Sequence, residues 1–207
     1  MFRDIVIPKN NEAEFIEVAS RLGIKKLCFL YDFEGFNEEK VQKKLNALES
    51  QNHVEIVTGF LVTQNNINKA LKQSNLLVAK SSDKDRAFIE SKKIKMIYGF
   101  EELHKKDYLH QRASGLNHIV CELARKNNVA IGFSYSSLFK TDIASSSLLI
   151  GRVIQNINLC RKFKVNTIIG AFSERSYDLR SPYDLASLFK LFGAEPKNIK
   201  NSIYSDL

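Results

Sequence analysis

Residues 111–139 read Gln111-Arg-Ala-Ser-Gly-Leu-Asn-His-Ile-Val-Cys-Glu-Leu-Ala-Arg-Lys-Asn-Asn-Val-Ala-Ile-Gly-Phe-Ser-Tyr-Ser-Ser-Leu-Phe139, and they decide the fold. A turn bearing Arg112 leads into an amphipathic helix and then a buried strand. Leu116, Ile119, Val120, Leu123 and Ala124 recur at the i, i+3, i+4, i+7, i+8 spacing of one helix face. Asn117, Cys121, Glu122 and Arg125 lie on or beside the opposite face. Ser114 or Gly115 is expected to open the helix, and Asn127-Asn128, which tolerate left-handed geometry, to close it before the strand at 129–133. The whole is an αβ unit.

Working outward, the same unit repeats. Strands are expected at residues 2–7, 26–31, 54–62, 76–79, 94–98, 129–134 and 165–170, each an almost continuous apolar run of the kind buried on both faces in a parallel sheet. Helices are expected at 11–22, 37–50, 65–73, 83–91 and 145–163. In the last of these Leu149, Ile150, Val153, Ile157 and Cys160 turn inward, and Arg152 and Asn156 face out. Ser181-Pro182-Tyr183-Asp184 opens another helix with a cap, a first-turn proline and an acidic third position, and Glu195-Pro196 opens a short terminal one. Residues 107–110 add a short eighth strand leading into Arg112. Eight βα units predict a single-domain α/β chain, a TIM-barrel-like (β/α) barrel, compact beside the ~250 residues typical of that class. An open doubly wound sheet is the alternative, but neither a Gly-x-Gly-x-x-Gly nor a phosphate-loop motif occurs.

Composition narrows the function classes. Hydrophobic residues make up 44% and charged residues 26% of the 207, ordinary globular values. No apolar run approaches the ~20 residues that span a bilayer, and no signal peptide is evident, so a soluble, cytoplasmic protein is expected. Cys28, Cys121 and Cys160 are odd in number and sit in apolar segments, as reduced core thiols do. The surplus of 31 Lys+Arg over 23 Asp+Glu, +8 in all, favours polyanionic partners, although solubility alone accounts for such a balance equally well.

On a barrel, functional groups collect where strands end and helices begin. That rule selects Asp32, Lys80-Ser81-Ser82, Arg112, Ser134-Tyr135-Ser136, Ser173-Glu174-Arg175 and Arg180-Ser181, a rim of cations and hydroxyls suited to phosphate contact. Arg112 and Arg180 are equally suited to fixing loops by pairing with carboxylates. The four histidines, His53, His104, His110 and His118, form no His-x-His pair, and no nucleophile elbow occurs, so neither a metal-dependent hydrolase nor a serine hydrolase is indicated. Lys92-Lys93 with Lys95, Lys105-Lys106, and Arg161-Lys162 with Lys164 add basic clusters that can hold an RNA backbone or merely complement helix dipoles.

Arg112-Ala113-Ser114-Gly115-Leu116-Asn117-His118, with Val129-Ala130-Ile131-Gly132-Phe133-Ser134, resembles the signature of the archaeal and eukaryotic ribonuclease P protein component 3 family, the thirty-kilodalton RNase P subunit. Gly170-Ala171-Phe172-Ser173 and Asp178-Leu179-Arg180-Ser181-Pro182-Tyr183-Asp184-Leu185 match downstream, and the chain looks like an archaeal member over essentially its full length. The resemblance implies a barrel related to the polymerase and histidinol phosphatase (PHP) barrels without their metal ligands. It also implies a subunit of ribonuclease P, which removes the 5′ leader of precursor tRNA. In that enzyme RNase P RNA and its Mg²⁺ perform the hydrolysis, so the chain itself binds no cofactor and is expected to be inactive alone. Implied partners are RNase P RNA, precursor tRNA indirectly, a second small RNase P protein in a heterotetramer with two copies of each, and the other RNase P proteins. Arg112, Arg175 and Arg180 are the leading candidates for RNA or partner contact, with Lys80, Arg125, Arg152 and Lys162 added by position. Arg180→Ala is expected to weaken that engagement and spare the fold, unless the arginine fixes a loop. The alternatives are a PHP-like metal-dependent phosphoesterase and a general basic RNA-binding barrel.

Overall fold

The computed structural model describes residues 3–49, 54–139 and 142–204. His53 lies outside the described residues. The strands are β1 (Arg3–Val6), β2 (Lys26–Asp32), β3 (Glu55–Leu61), β4 (Leu77–Lys80), β5 (Met96–Tyr98), β6 (Ala130–Ser134) and β7 (Thr167–Gly170). They pair in parallel in sequence order, Ile5 beside Cys28, Ala79 beside Ile97 and Phe133 beside Ile169. The helices are α1 (Glu12–Arg21), α2 (Glu38–Glu49), α3 (Ile67–Ala70), α4 (Asp85–Ser91), α5 (His118–Lys126), α6 (Ile143–Phe163), α7 (Pro182–Leu191) and α8 (Pro196–Tyr204).

Alternation along the strands gives each side chain one of two environments. Ile5, Cys28, Leu30, Val78, Met96, Tyr98, Ala130 and Ile168 form an inner cluster joined by Phe172. Leu27, Phe29, Leu77, Ala79, Ile97, Ile131, Phe133 and Ile169 pack outward against the helices. The sheet curls until β7 meets β1. There Val6 bridges Ser173, the Phe172 N–H donates to the Ile5 carbonyl at 2.7 Å, and the Ile7 N–H donates to the Ser173 carbonyl at 2.8 Å. Asp4 fastens the seam with its side chain, Oδ1 accepting from the Ile5 N–H at 2.7 Å and the Ala171 N–H at 2.6 Å. The result is a nearly closed barrel of the TIM type.

Seven strands stand among the described residues, where the sequence predicts eight. Residues 107–110 are loop: Tyr108 and Leu109 are exposed, and the Tyr108 N–H donates to the Gln111 carbonyl at 2.9 Å across a tight turn. The Asp107 carboxylate accepts from the Ala113 N–H at 2.8 Å, so the local polar groups satisfy one another without a sheet partner. α3 is likewise one turn instead of the nine residues at 65–73: the Asn66 side chain accepts from the Thr63 N–H at 2.8 Å and holds a turn ahead of it, and beyond Ala70 the chain tightens, the Lys72 and Gln73 N–H groups donating three residues back to Lys69 and Ala70.

α5 differs in start and in face. Its cap is Asn117, whose Oδ1 accepts from the Val120 N–H at 2.9 Å, and neither Ser114 nor Gly115 serves. Cys121 and Ala124 are its buried residues, while Ile119 is 51% exposed. The helix lies between α4 and α6, and Cys121 meets Cys160 of α6 there. Such lateral packing turns the buried stripe toward its neighbours by about one residue relative to the pattern. α6 begins two residues before Ser145, because Asp142 caps it by accepting from the Ala144 and Ser145 N–H groups at 3.0 and 3.1 Å.

Arg152 and Asn156 correct the expectation that they face out, since both are fully buried. The irregular segment between β5 and α5 crosses α6 at these positions and brings backbone carbonyls with no ladder partner. The Arg152 guanidinium donates to the Glu101 and His104 carbonyls at 2.9 and 2.6 Å, and Asn156 donates to the Ser114 carbonyl at 3.0 Å.

Candidate functional site

The strand-end residues resolve into three groups. The first surrounds the barrel mouth. Lys80, the last residue of β4, pairs with Glu102 at 2.8 Å, and Glu102 also accepts a short hydrogen bond from the Ser137 hydroxyl. Glu102 lies in a 3₁₀ turn that follows β5, entered through Gly99 at φ 83°. Behind it Arg152 binds Asp107 through Nε at 2.8 Å. Burial works to raise the Asp107 pKa, but the Ala113 N–H, then Arg152 and finally the Arg112 charge outweigh it and hold the carboxyl below the usual range. Glu101 is fully buried with neither oxygen hydrogen-bonded among the described residues, and burial pushes its pKa up to about 7. A cavity of about 610 Å³ opens here, lined in part by Lys80, Tyr98, Arg152 and Phe172.

The second group flanks α6. The Arg112 guanidinium donates to the Gly151 carbonyl. It lies where a side chain at 151 would stand, a Cβ there falling 2.8 Å from Arg112 Cζ. Arg112 and Lys162 line one shallow hollow with Gln155 and Asn158. The Lys162 ammonium sits 5.6 Å from the Phe163 ring centre. Arg125 is exposed in the last turn of α5.

The third group is the loop after β7. Arg175 grips Asp178 with two bonds of 3.1 Å, and Asp178 accepts a third from the Ser173 hydroxyl at 2.8 Å. Among the described residues Arg180 has no such carboxylate fork. Its Nε donates to the Tyr135 hydroxyl at 2.9 Å, its plane lies 5.0 Å from that ring's centre, and Nη1 donates to the Tyr177 and Leu179 carbonyls at 2.8 and 2.7 Å. It ties the β7 loop to the β6 loop.

The structure therefore joins Lys80 with Arg152, Arg112 with Lys162, and Arg175 with Arg180, and makes no single cluster of the seven. The carboxylates Glu101, Glu102 and Asp107 belong to these groups without being among the residues expected from the sequence. Glu101 and Glu102 come directly after a strand, so the strand-end rule reaches them, whereas Asp107 emerges only from the loop's path. Among the described residues no group of three or more His, Cys, Asp and Glu is placed to hold a metal ion. His118 occupies the exposed first position of α5. Among the described residues no helix is long and apolar enough to cross a membrane.

Residues 1–206 match the family model of RNase P subunit p30. The chain is 23% identical over 197 residues to ribonuclease P protein component 3 of Methanothermobacter thermautotrophicus, an alignment covering 90% of this chain and 78% of that protein. With the component 3 of Archaeoglobus fulgidus identity is 35% over 80 residues, spanning 39% of this chain and 40% of the relative. A chain in the cryo-EM structure of archaeal ribonuclease P with mature tRNA superimposes with a TM-score of 0.79 at 19% identity, covering 98% of this chain and 88% of that one, and shares its fold. The family match spans nearly every residue, both quoted motifs and the barrel that carries them, and the chain belongs to the RNase P subunit p30 family.

Proposed function

We propose that this chain is a protein subunit of ribonuclease P, the ribonucleoprotein that removes the 5′ leader of precursor tRNA, and that it assists the catalytic RNA without cleaving the substrate itself. The observation that carries this reading is the family match over residues 1–206. The surface supports it: Arg112, Arg125, Lys162 and Arg175 are exposed on a chain of net charge +8, and cations so placed contact phosphates and position an RNA without reading its sequence. Lys80, 57% exposed beside Glu102, adds a cation at the mouth. Arg180 serves by holding the rim loops in shape. The partners are RNase P RNA, a second small RNase P protein forming a two-plus-two heterotetramer, and the remaining protein subunits, with precursor tRNA reached through the RNA. The Mg²⁺ belongs to the RNA, and the setting is the cytoplasm.

Reconstitution tests the reading. The purified chain alone should leave precursor tRNA intact, and with its protein partner it should lower the Mg²⁺ concentration at which RNase P RNA cleaves. A cleavage curve unmoved by the protein pair overturns the proposal. The double variant Arg112→Ala/Lys162→Ala should weaken RNA binding and flatten its salt dependence by roughly one unit of log–log slope per lost phosphate contact. An unchanged slope removes these two residues from the RNA-binding surface.

A further inference from the structure

Of the cavity at the barrel mouth, the RNA-assisting role uses only Lys80 on its edge and leaves the interior without a task. Its volume of about 610 Å³ lies within the range of small-molecule sites, and it sits at the C-terminal ends of parallel strands. Tyr98 and Phe172 line it as a stacked pair, ring centres 4.6 Å apart and planes 15° from parallel. Phe172 takes φ 46°, a left-handed conformation that costs a bulky residue energy, and it is kept there with its ring against Tyr98. Leu148 and Leu149 of α6 supply an apolar wall.

The polar side is incomplete. Arg152 lines the cavity although it is fully buried. Its Nε and Nη1 are engaged, but Nη2 has no hydrogen-bond partner among the described residues. A buried guanidinium N–H without an acceptor is costly, and an anionic oxygen would satisfy it. Lys80 is balanced by Glu102 and Arg152 by Asp107, both at 2.8 Å. Exposed Lys105 adds a positive charge at the edge. Glu174, also on the lining, stands 4.0 Å from Lys9.

We propose that the barrel mouth binds a free mononucleotide, its phosphate on Arg152 and Lys105 and its flat base against the Tyr98–Phe172 side. The inference stands apart from the RNase P assignment, because the site and its test involve this chain alone. Titrating the purified chain with adenosine 5′-monophosphate by calorimetry or NMR should give saturable binding at one site. Inorganic phosphate should compete, and adenosine should bind about tenfold more weakly, having lost the charged contact. Lys105→Ala, an exposed change, should weaken binding about fivefold at unchanged melting temperature. Leu148→Trp, which fills the cavity, should abolish it. The proposal is overturned by lack of saturation at about 5 mM ligand, or by parental affinity in Lys105→Ala. It is equally overturned if a 5′-phosphorylated oligonucleotide binds and the mononucleotide does not.

Discussion

Single residues carry much of this fold's polar accounting. Arg152 holds Asp107 and two carbonyls from a fully buried position. Arg152→Ala should therefore lower stability by about 3–5 kcal/mol in denaturant unfolding, since it strands a partly buried carboxylate and two carbonyls. Arg152→Lys should recover only part, because an ammonium cannot reproduce the planar fork. Arg180→Ala should cost about 1–3 kcal/mol through its bonds to Tyr135 and two carbonyls, so melting temperature must accompany any binding measurement. Asp4 and Glu101 set a pH dependence. Burial pushes both up to about 7 from 3.8 and 4.5, with the N–H bonds from Ala171 and Ile5 pulling Asp4 partly back. The folded state then binds protons more tightly than the unfolded one between those limits, so this contribution to stability grows as pH falls through 7 and shrinks as it rises. Thermal unfolding from pH 8 to pH 5 should show a rising midpoint, and Asp4→Asn with Glu101→Gln should flatten it. The spacing in fact sets Arg152 and Asn156 on the stripe of Leu149, Val153, Ile157 and Cys160, at i+3 and i+7 from Leu149; their polarity points to water, and the carbonyls that let them be buried come from a segment that local pattern does not place.

At the scale of elements, the informative piece is the segment that joins β5 to α5. Gly115, at φ 77°, passes directly over the Phe100 carbonyl, and a Cβ at 115 would meet that backbone. Gly115→Ala should combine left-handed strain with a backbone clash that no side chain can relieve. The expected result is a loss of about 2–4 kcal/mol and a lowered melting temperature. Gly151→Ala is the opposite case. Inside α6 an alanine gains about 1 kcal/mol of helix propensity, and what it meets is the movable end of Arg112. The variant should melt no lower than the parent, with Arg112 displaced from the Gly151 carbonyl. The helix-and-strand reading of 111–139 identified α5 and β6 as elements. It missed the start and the facing of α5, because a periodic pattern reports which residues are apolar and leaves open whether a helix packs on the sheet or sideways on its neighbours.

At the scale of the molecule, repeated βα units and continuous apolar strands made a parallel barrel legible, since a strand buried on both faces has no room for polar alternation. Among the described residues seven strands nevertheless form it in place of eight. The β7–β1 seam is joined by one bridge, a few backbone bonds and the Asp4 side chain, and the segment expected to supply the eighth strand lies across α6. By itself the sequence determined the fold class, the order of the elements, the family motifs and the surplus of positive charge, because each depends on the kind and spacing of nearby residues. The tertiary structure alone decided which cations are exposed and which are buried or bonded to loop groups. It buried Arg152, tethered Arg180, left Arg125 and Lys162 exposed, set Arg112 on the surface against Gly151, and kept Arg175 exposed even as it pairs with Asp178. For Arg112, Arg152 and Arg180 the deciding partners, two carbonyls, a carboxylate and the Tyr135 hydroxyl, come from residues 39 to 51 positions away, a distance over which local pattern carries no information.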